Sequence, residues 1–287
     1  MTQGCLIFAY NGDIDYGSQA VVAAALAQKN LKVPVSVVTN IATHKAMTKK
    51  FTTLPFDKII LTDAPNTKNL RKLNNGQKSA TLISFANGNR SSAWELTPYD
   101  RTLIIDSDFL VLSNTLSQYW DSKESFLINP GMIDLTQIDK DPKDYLISNY
   151  SIKLLWATNI MFSKNAEAKL AFDLAIHVKE NYAYYAAQYH FDPVQFRNDY
   201  AFSIACHILG GHGTAQWHGE LPCPVFIRDV DDIHAITNEQ ITFILKDYTK
   251  PDNSLITHTK QQDVHIMNKH SIIDNLPALL TLADYNV

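Results

Sequence analysis

Cysteine is scarce. Cys5, Cys206 and Cys223 are the only three thiols in 287 residues, an odd number at wide spacings with no CxxC pair. That excludes a disulfide framework as the basis of the fold and fits a reducing compartment. Long apolar runs are missing as well: stretches such as Thr102 to Ile105 and Phe109 to Leu112 are cut by charge, far short of the roughly 20 residues a membrane helix needs. No membrane span is expected. No basic leader and no small-residue cleavage site accompany Met1-Thr2-Gln3-Gly4, so the expected location is cytoplasmic. What is present is 46% hydrophobic and 19% charged residues in 32.3 kDa. Such a chain buries a substantial core and is not a disordered one.

The net charge of −4 conceals an asymmetry. Ten cations from Lys29 to Lys78 face two anions, Asp57 and Asp63, so this segment carries +8 and the remainder −12. A split of this kind can mark a face where an anionic partner docks, or it can be a solvated lysine-rich surface.

Strand and helix signals alternate through the first half. Cys5 to Tyr10 reads as a buried strand closed by Asn11-Gly12, and Ser18 is the expected cap of a helix through Leu26 that stops near Lys29-Asn30. Val33 to Val38 and Lys58 to Leu61 read as strands around a helix from His44 to Phe51, and a helix from Ala80 to Trp94 precedes the strand Leu103 to Ile105. The rhythm predicts an α/β fold with a Rossmann-like central sheet flanked by helices. Beyond it, Leu154 to Phe162 is an expected strand, Ala166 to Tyr185 and Asn198 to Leu209 are expected helices, and Ile241 to Leu245 is a late strand. No repeat or linker divides the chain, so one continuous domain over residues 1–287 is expected, with 1–112 and 113–287 as its two functional halves.

Asp106-Ser107-Asp108 sits between Leu103-Ile104-Ile105 and Phe109-Leu110-Val111-Leu112. Carboxylates inside a strand-forming run are costly to bury unless a cation compensates them. Two hard oxygen ligands at the carboxyl end of a strand suit Mg²⁺ or Mn²⁺ shared with substrate phosphates. The bland reading is an acidic turn between unrelated strands.

The segment Arg90 to Leu112, with Trp94, Leu96-Thr97-Pro98-Tyr99, the apolar strand and the DxD, resembles the nucleotide-sugar segment of GT-A glycosyltransferases, nearest to the glycogenin-like family 8 pattern. The resemblance implies a GT-A mixed sheet and a nucleotide-sugar donor, a UDP-sugar before others. It makes Asp106 and Asp108 metal ligands and Arg90 and Ser107 donor contacts. Phe8-Ala9-Tyr10-Asn11 resembles the first strand and loop that hold the base and ribose. Trp156 to Phe162 resembles the strand bordering the sugar, with Thr158 and Asn159 as donor contacts and with Ala157 and Asn159 where Asn and Gly are usual. Asn198-Asp199-Tyr200 resembles an Asp-Gln pair with Asp199 kept, and Val264 to Lys269 resembles the His-led motif that adds His265 to the metal site and Lys269 to the diphosphate.

The chemistry stands without the family. Breaking a sugar–diphosphate bond develops charge on the departing phosphate, which a divalent ion with Arg90 and Lys269 would neutralise. Asp199 would orient or deprotonate an acceptor hydroxyl, or stabilise an oxocarbenium-like transition state. The alternatives are a helix N-terminal carboxylate for Asp199 and a metal-free histidine for His265. Cys206, His207, His212, His218 and Cys223 match no standard zinc spacing, and Gly210-Gly211-His212-Gly213 lacks the Lys-Ser/Thr of a phosphate loop. Tyr182, Tyr184, Tyr185, Tyr189 and Phe191 read first as helix packing rather than base stacking.

The expected activity is a metal-dependent glycosyltransferase acting on a hydroxyl acceptor. Lys68, Arg71 and Lys72 are expected in a loop at the mouth of the site. A basic rim there would suit double-stranded DNA bearing hydroxymethylated pyrimidines, for which virus-encoded DNA glycosylating enzymes are a precedent. The alternatives are a saccharide or protein acceptor, and a catalytically silent protein that binds nucleotide sugar or nucleic acid.

Overall fold

Gln3–Phe8 pairs in parallel with Val35–Thr39 on one side and Arg101–Ile105 on the other, and these strands form the centre of the molecule. In the computed structural model, which describes residues 1–63, 69–73, 81–84, 86, 89–136, 145–213, 215–238, 240–247, 250 and 252–285, they belong to a seven-stranded sheet. Its order is Gly219–Glu220, Phe126–Asn129, Trp156–Ser163, Arg101–Ile105, Gln3–Phe8, Val35–Thr39, Lys58–Leu61. Trp156–Ser163 runs antiparallel to both of its neighbours. The mixed α/β architecture expected from the alternating signals is present, with helices packed against the sheet.

A second sheet joins Phe109–Leu110, Val264–Ile266, Val225–Ile227 and Ile133–Asp134, and so ties the residues after the DxD to the far end of the chain. Asp232–Ile236, Gln240–Lys246 and Ser254–Lys260 form a third, antiparallel sheet. Ile241, Phe243 and Leu245 point inward from its middle strand in strict alternation, the period-2 pattern of a half-buried strand.

The helix Tyr16–Leu31 starts earlier than expected because the cap is Asp15. Its Oδ1 accepts the Ser18 N–H at 3.0 Å, and the Ser18 hydroxyl donates to Oδ2 at 2.6 Å. Five alanines let this helix lie close to the sheet, and it ends where Lys32 turns left-handed at φ 57°. Asn40 caps Ile41–Lys50 in the same manner. The helix expected from Ala80 to Trp94 is not formed. Thr81–Ser84 is a strand paired with Leu70–Leu73, with Ile83 buried and Leu82 exposed. A 3₁₀ turn, Arg90–Ser92, and one α-turn, Ala93–Leu96, complete the segment. The β-branched alternation of Thr81-Leu82-Ile83-Ser84 wins there over helix spacing. Ala166 to Tyr185 is likewise two helices, Ala166–Glu180 and Tyr182–Tyr189, broken at Asn181.

Under the helices Ala166–Glu180 and Asn198–Leu209, Phe162, Phe172 and Phe202 meet edge to face, with centroids 4.6 and 5.5 Å apart. Such pairs add to the free energy of burial. Tyr182, Tyr185, Tyr189 and Phe191 join the same cluster from its rim, the helix-packing role expected of them. Arg101 is 1% exposed, and its guanidinium donates to the Glu124 and Tyr119 carbonyls and to Ser163 Oγ. It is a framework residue.

Asp263 ties two chain segments together, its Oδ1 accepting the N–H groups of Leu112 and Ser113 at 2.8 Å each. Burial pushes its carboxyl up to about 6, against the pull of those donors. With the folded value above the unfolded one, its contribution to stability is complete below about pH 4 and is lost as pH rises through 6. Asp263→Asn keeps an accepting oxygen and cannot ionise. Thermal denaturation should show the variant gaining about 3 kcal/mol over the parent at pH 7.5, a gain that vanishes near pH 4.

Candidate active site

The two parallel strands Gln3–Phe8 and Arg101–Ile105 end at the same edge of the sheet, so Phe8 and Asp106 emerge side by side. Between the strands of an open α/β sheet, this edge is where ligand crevices form. Trp156–Ser163 runs the opposite way and enters at that edge. Asn159 lies opposite Ile105, which carries Thr158 and Trp156 past the end of Arg101–Ile105 and beside Asp106. The second sheet supplies the remaining wall: His265 is in register with Phe109, and the Ile266 N–H donates to the Asp108 carbonyl at 2.9 Å. Backbone pairing alone therefore places His265 against the DxD.

These elements enclose a cleft of about 390 Å³, a size suited to a small-molecule ligand. Asp106, Asp108 and His265 each offer one ligand atom, and those atoms lie within 4.8 Å of one another. Arg90 pairs with Oδ1 of Asp106. Lys269 pairs with Oδ2 of Asp108, to which His265 Nε2 also approaches at 3.1 Å. The second oxygen of each carboxylate stays outside these pairs. Thr158 Oγ1 is 3.4 Å from His265 Nδ1 and so fixes the ring from its other side. Two carboxylates and an imidazole form a hard, borderline donor set that fits Mn²⁺ or Mg²⁺.

Arg90 also donates to the Ala157 carbonyl. Burial draws its guanidinium down to about 10, opposed by nearby Asp199, and it remains a cation at neutral pH. Asp199, in the first turn of Asn198–Leu209, accepts the Ala157 N–H at 2.9 Å through Oδ1 and the Arg197 guanidinium through Oδ2. Burial pushes its carboxyl upward, but Arg197, the Ala157 N–H and Arg90 together hold it below the ordinary carboxylate range.

Of the residues singled out in the sequence, Phe8, Tyr10, Arg90, Asp106, Ser107, Asp108, Thr158, Asp199, His265 and Lys269 line the cleft. Three do not. Ala9 is buried and gives its carbonyl to Thr39, while the Asn11 side chain staples the helix start by bonding Asp15 and the Gly17 N–H. Asn159 lies within the sheet, its N–H on Asn129. Tyr16, Asn89, Gln195, Phe196, Arg197 and Met267 join the lining without having been anticipated. Adjacency to Arg90 and Asp199 was the one sequence signal for Asn89 and Arg197.

The basic segment is arranged differently from expectation. Arg71 and Lys72 belong to the strand Leu70–Leu73 rather than to a loop, and Lys68 and Lys78 lie outside the described residues. Of the cations in this segment whose side chains are described, Lys29, Lys32, Lys45, Lys49, Lys50 and Lys58, none lines the cleft, and Lys29 and Lys50 are paired with Asp284 and Asp15. Among the same residues, Cys206, His207, His212, His218 and Cys223 form no group able to hold a metal, and no helix is long and apolar enough to cross a membrane.

No protein-family model and no curated protein matches the sequence. Among solved structures, the galactosyltransferase LgtC in complex with donor and acceptor sugar analogues is similar at 13% identity and a TM-score of 0.52, with 98% of this chain and 95% of that chain covered. An active-site mutant of LgtC gives 16% identity and a TM-score of 0.46 over 77% of this chain and 72% of that one. The glycosyltransferase GlyE of Streptococcus pneumoniae TIGR4 gives 9% and 0.42 over 77% of this chain. The chain spans 45% of the length of GlyE. The likeness to LgtC along nearly the whole chain establishes the GT-A fold.

Lys269 and Asp108 have side chains 5% and 7% exposed, so each neutralises a charge that would otherwise be buried alone. Lys269→Met should lower stability by about 3–5 kcal/mol. Mn²⁺ should restore part of that loss by taking over the carboxylates, so the variant's melting temperature should rise more on adding Mn²⁺ than the parent's.

Proposed function

We propose that this chain is a metal-dependent glycosyltransferase that moves a sugar from a nucleotide-sugar donor, a UDP-sugar before others, to a hydroxyl acceptor. The observation that carries the reading is the convergence of Asp106, Asp108 and His265 at the carboxyl end of the central sheet, flanked by the cations Arg90 and Lys269. Asp106, Asp108 and His265 would hold Mn²⁺ or Mg²⁺, which when bound supplies Lewis-acid neutralisation of the departing diphosphate.

The residues of the chain then divide the work. Phe8 and Tyr10 form the wall for base and ribose, and the Tyr10 hydroxyl is held in place by Thr62 at 2.8 Å and Asn89 at 3.2 Å. Lys269 faces the diphosphate, and Arg90 bridges the phosphate side and the sugar side of the cleft. The bond from the sugar's anomeric carbon to the diphosphate oxygen breaks, a bond from that carbon to the acceptor oxygen forms, and the acceptor's proton passes to Asp199 or to the departing diphosphate. Asp199, held ionised, is the carboxylate suited to orient that hydroxyl or to stabilise the positive charge of the sugar in the transition state. Residues 1–112 thus serve the donor and 113–287 the acceptor side, with His265 and Lys269 returning from the second half to the diphosphate.

The nucleic-acid acceptor rests on the +8 charge of Lys29 to Lys78, and a saccharide or protein acceptor makes no demand on that segment. One experiment addresses both levels. Turnover of UDP- and GDP-sugars with Mn²⁺ is followed in the presence of saccharides, peptides or hydroxymethylated duplex DNA. Metal-dependent release of the nucleoside diphosphate is expected from the parent, with Asp106→Asn and Asp108→Asn each lowering it by about 10²-fold or more while circular dichroism stays unchanged. If DNA is the acceptor, its affinity falls with salt with a slope of about −0.9 per neutralised phosphate. Nucleotide binding without turnover of any donor would leave a silent binding protein.

A further inference from the structure

Arg197 is placed in an unusual way. Its guanidinium lies 4.8 Å from the ring centre of Tyr200 and 5.8 Å from that of Trp156, and Trp156 is in turn stacked on Phe226 at 6.3 Å and braced edge-on by Tyr145 at 5.8 Å. From within this stack its Nε and Nη2 reach Oδ2 of Asp199 at 3.3 and 2.9 Å. The opposite oxygen of Asp199 is fixed by the Ala157 N–H, and Ala157 is the residue whose carbonyl receives Arg90. Two guanidiniums therefore act on one carboxylate: Arg197 is bonded to it, and Arg90 is close enough to lower its pKa but is paired with Asp106.

We infer that Arg197 is a positioning residue of the transfer step: lodged over the rings of Trp156 and Tyr200, it holds the Asp199 carboxylate toward the cleft and out of reach of Arg90. The inference rests on the glycosyltransferase reading and deepens it. A carboxylate bonded by Arg197 on one oxygen and by a backbone N–H on the other has no freedom to swing toward a second cation. Without Arg197, Asp199 is a buried carboxylate whose nearest cation is Arg90, and electrostatics draws the two together. Asp199 would then turn from the cleft toward Arg90, and the acceptor side would lose its geometry while Arg90 keeps its pairing with Asp106. A planar guanidinium is required because it stacks on two rings and donates twice in one plane, neither of which an ammonium does.

The test compares Arg197→Met, Arg197→Lys, Asp199→Asn and the double variant Arg197→Met/Asp199→Asn, with kcat and donor KM measured on the donor that the parent uses. Arg197→Met should lower kcat by about 10²-fold, the scale of a misplaced reacting group, with donor KM within about 3-fold. Arg197→Lys should recover no more than about tenfold of that loss. In the Asp199→Asn background the same Met substitution should cost less than about 3-fold, because a residue acting through Asp199 has nothing left to act through. Equal losses in both backgrounds, a change confined to donor KM, or full activity in Arg197→Met would overturn the role. Absence of turnover in the parent would instead overturn the glycosyltransferase reading, and the clamp is then judged by denaturation of the same four proteins. Non-additive melting shifts are expected, and additive ones refute the clamp.

Discussion

Two carboxylates held at the end of a buried strand impose the demand that the rest of the cleft meets. Asp106 and Asp108 follow a strand, Arg101–Ile105, that is fully buried, and Asp108 itself is 5% exposed. Negative charge so placed is unstable unless cations answer it. The chain brings them from two directions, Arg90 from the turn before the strand and Lys269 from the end of the sequence, with the His265 ring beside Asp108. A cluster of balanced charges at a strand end is also what a diphosphate and a divalent ion require, so the residues that make the fold tolerable are those that would hold the ligands of the proposed reaction.

The second sheet makes this convergence reliable. Phe109–Leu110 continues directly from the DxD and pairs with Val264–Ile266, so the distance between Asp108 and His265 is set by a β-ladder rather than by loop conformation. The antiparallel entry of Trp156–Ser163 does the same on the other side, bringing Thr158 to His265 and giving the Ala157 N–H to Asp199. Groups held by strands keep their geometry better than groups on loops. The cleft's polar interior is thus assembled almost entirely from strand ends and first helical turns.

Much of this was legible in the sequence, for identifiable reasons. Apolar strands such as Cys5 to Phe8 and Leu103 to Ile105 are unambiguous runs, and a DxD at the end of one marks both the strand's end and the ligand edge. Arg90 and Arg101 were indistinguishable by composition, yet one faces the cleft and the other is sealed under the sheet against the Glu124 and Tyr119 carbonyls. Only tertiary packing separates them. Asn11 carries the right chemistry for a ribose but is consumed by the helix start at Asp15 and Gly17. The segment from Ala80 to Trp94 misled because helix spacing and strand alternation coincide over so few residues, and its pairing partner, Leu70–Leu73, lies too far back for a local pattern to reveal. Arg197 gave no signal beyond its nearness to Asp199 in the chain, since its role depends on two rings brought together by folding.

The central claim is that Asp106, Asp108 and His265 hold a divalent ion against a nucleoside diphosphate. Mn²⁺ electron paramagnetic resonance with UDP present tests it directly, read together with broadening of the UDP phosphorus resonances. The account predicts one ion bound per chain, phosphorus lines broadened by the metal, and both signals lost when Asp106 and Asp108 are replaced by Asn together. A bound ion that survives the double replacement, or UDP whose phosphorus lines stay sharp beside bound Mn²⁺, would contradict it.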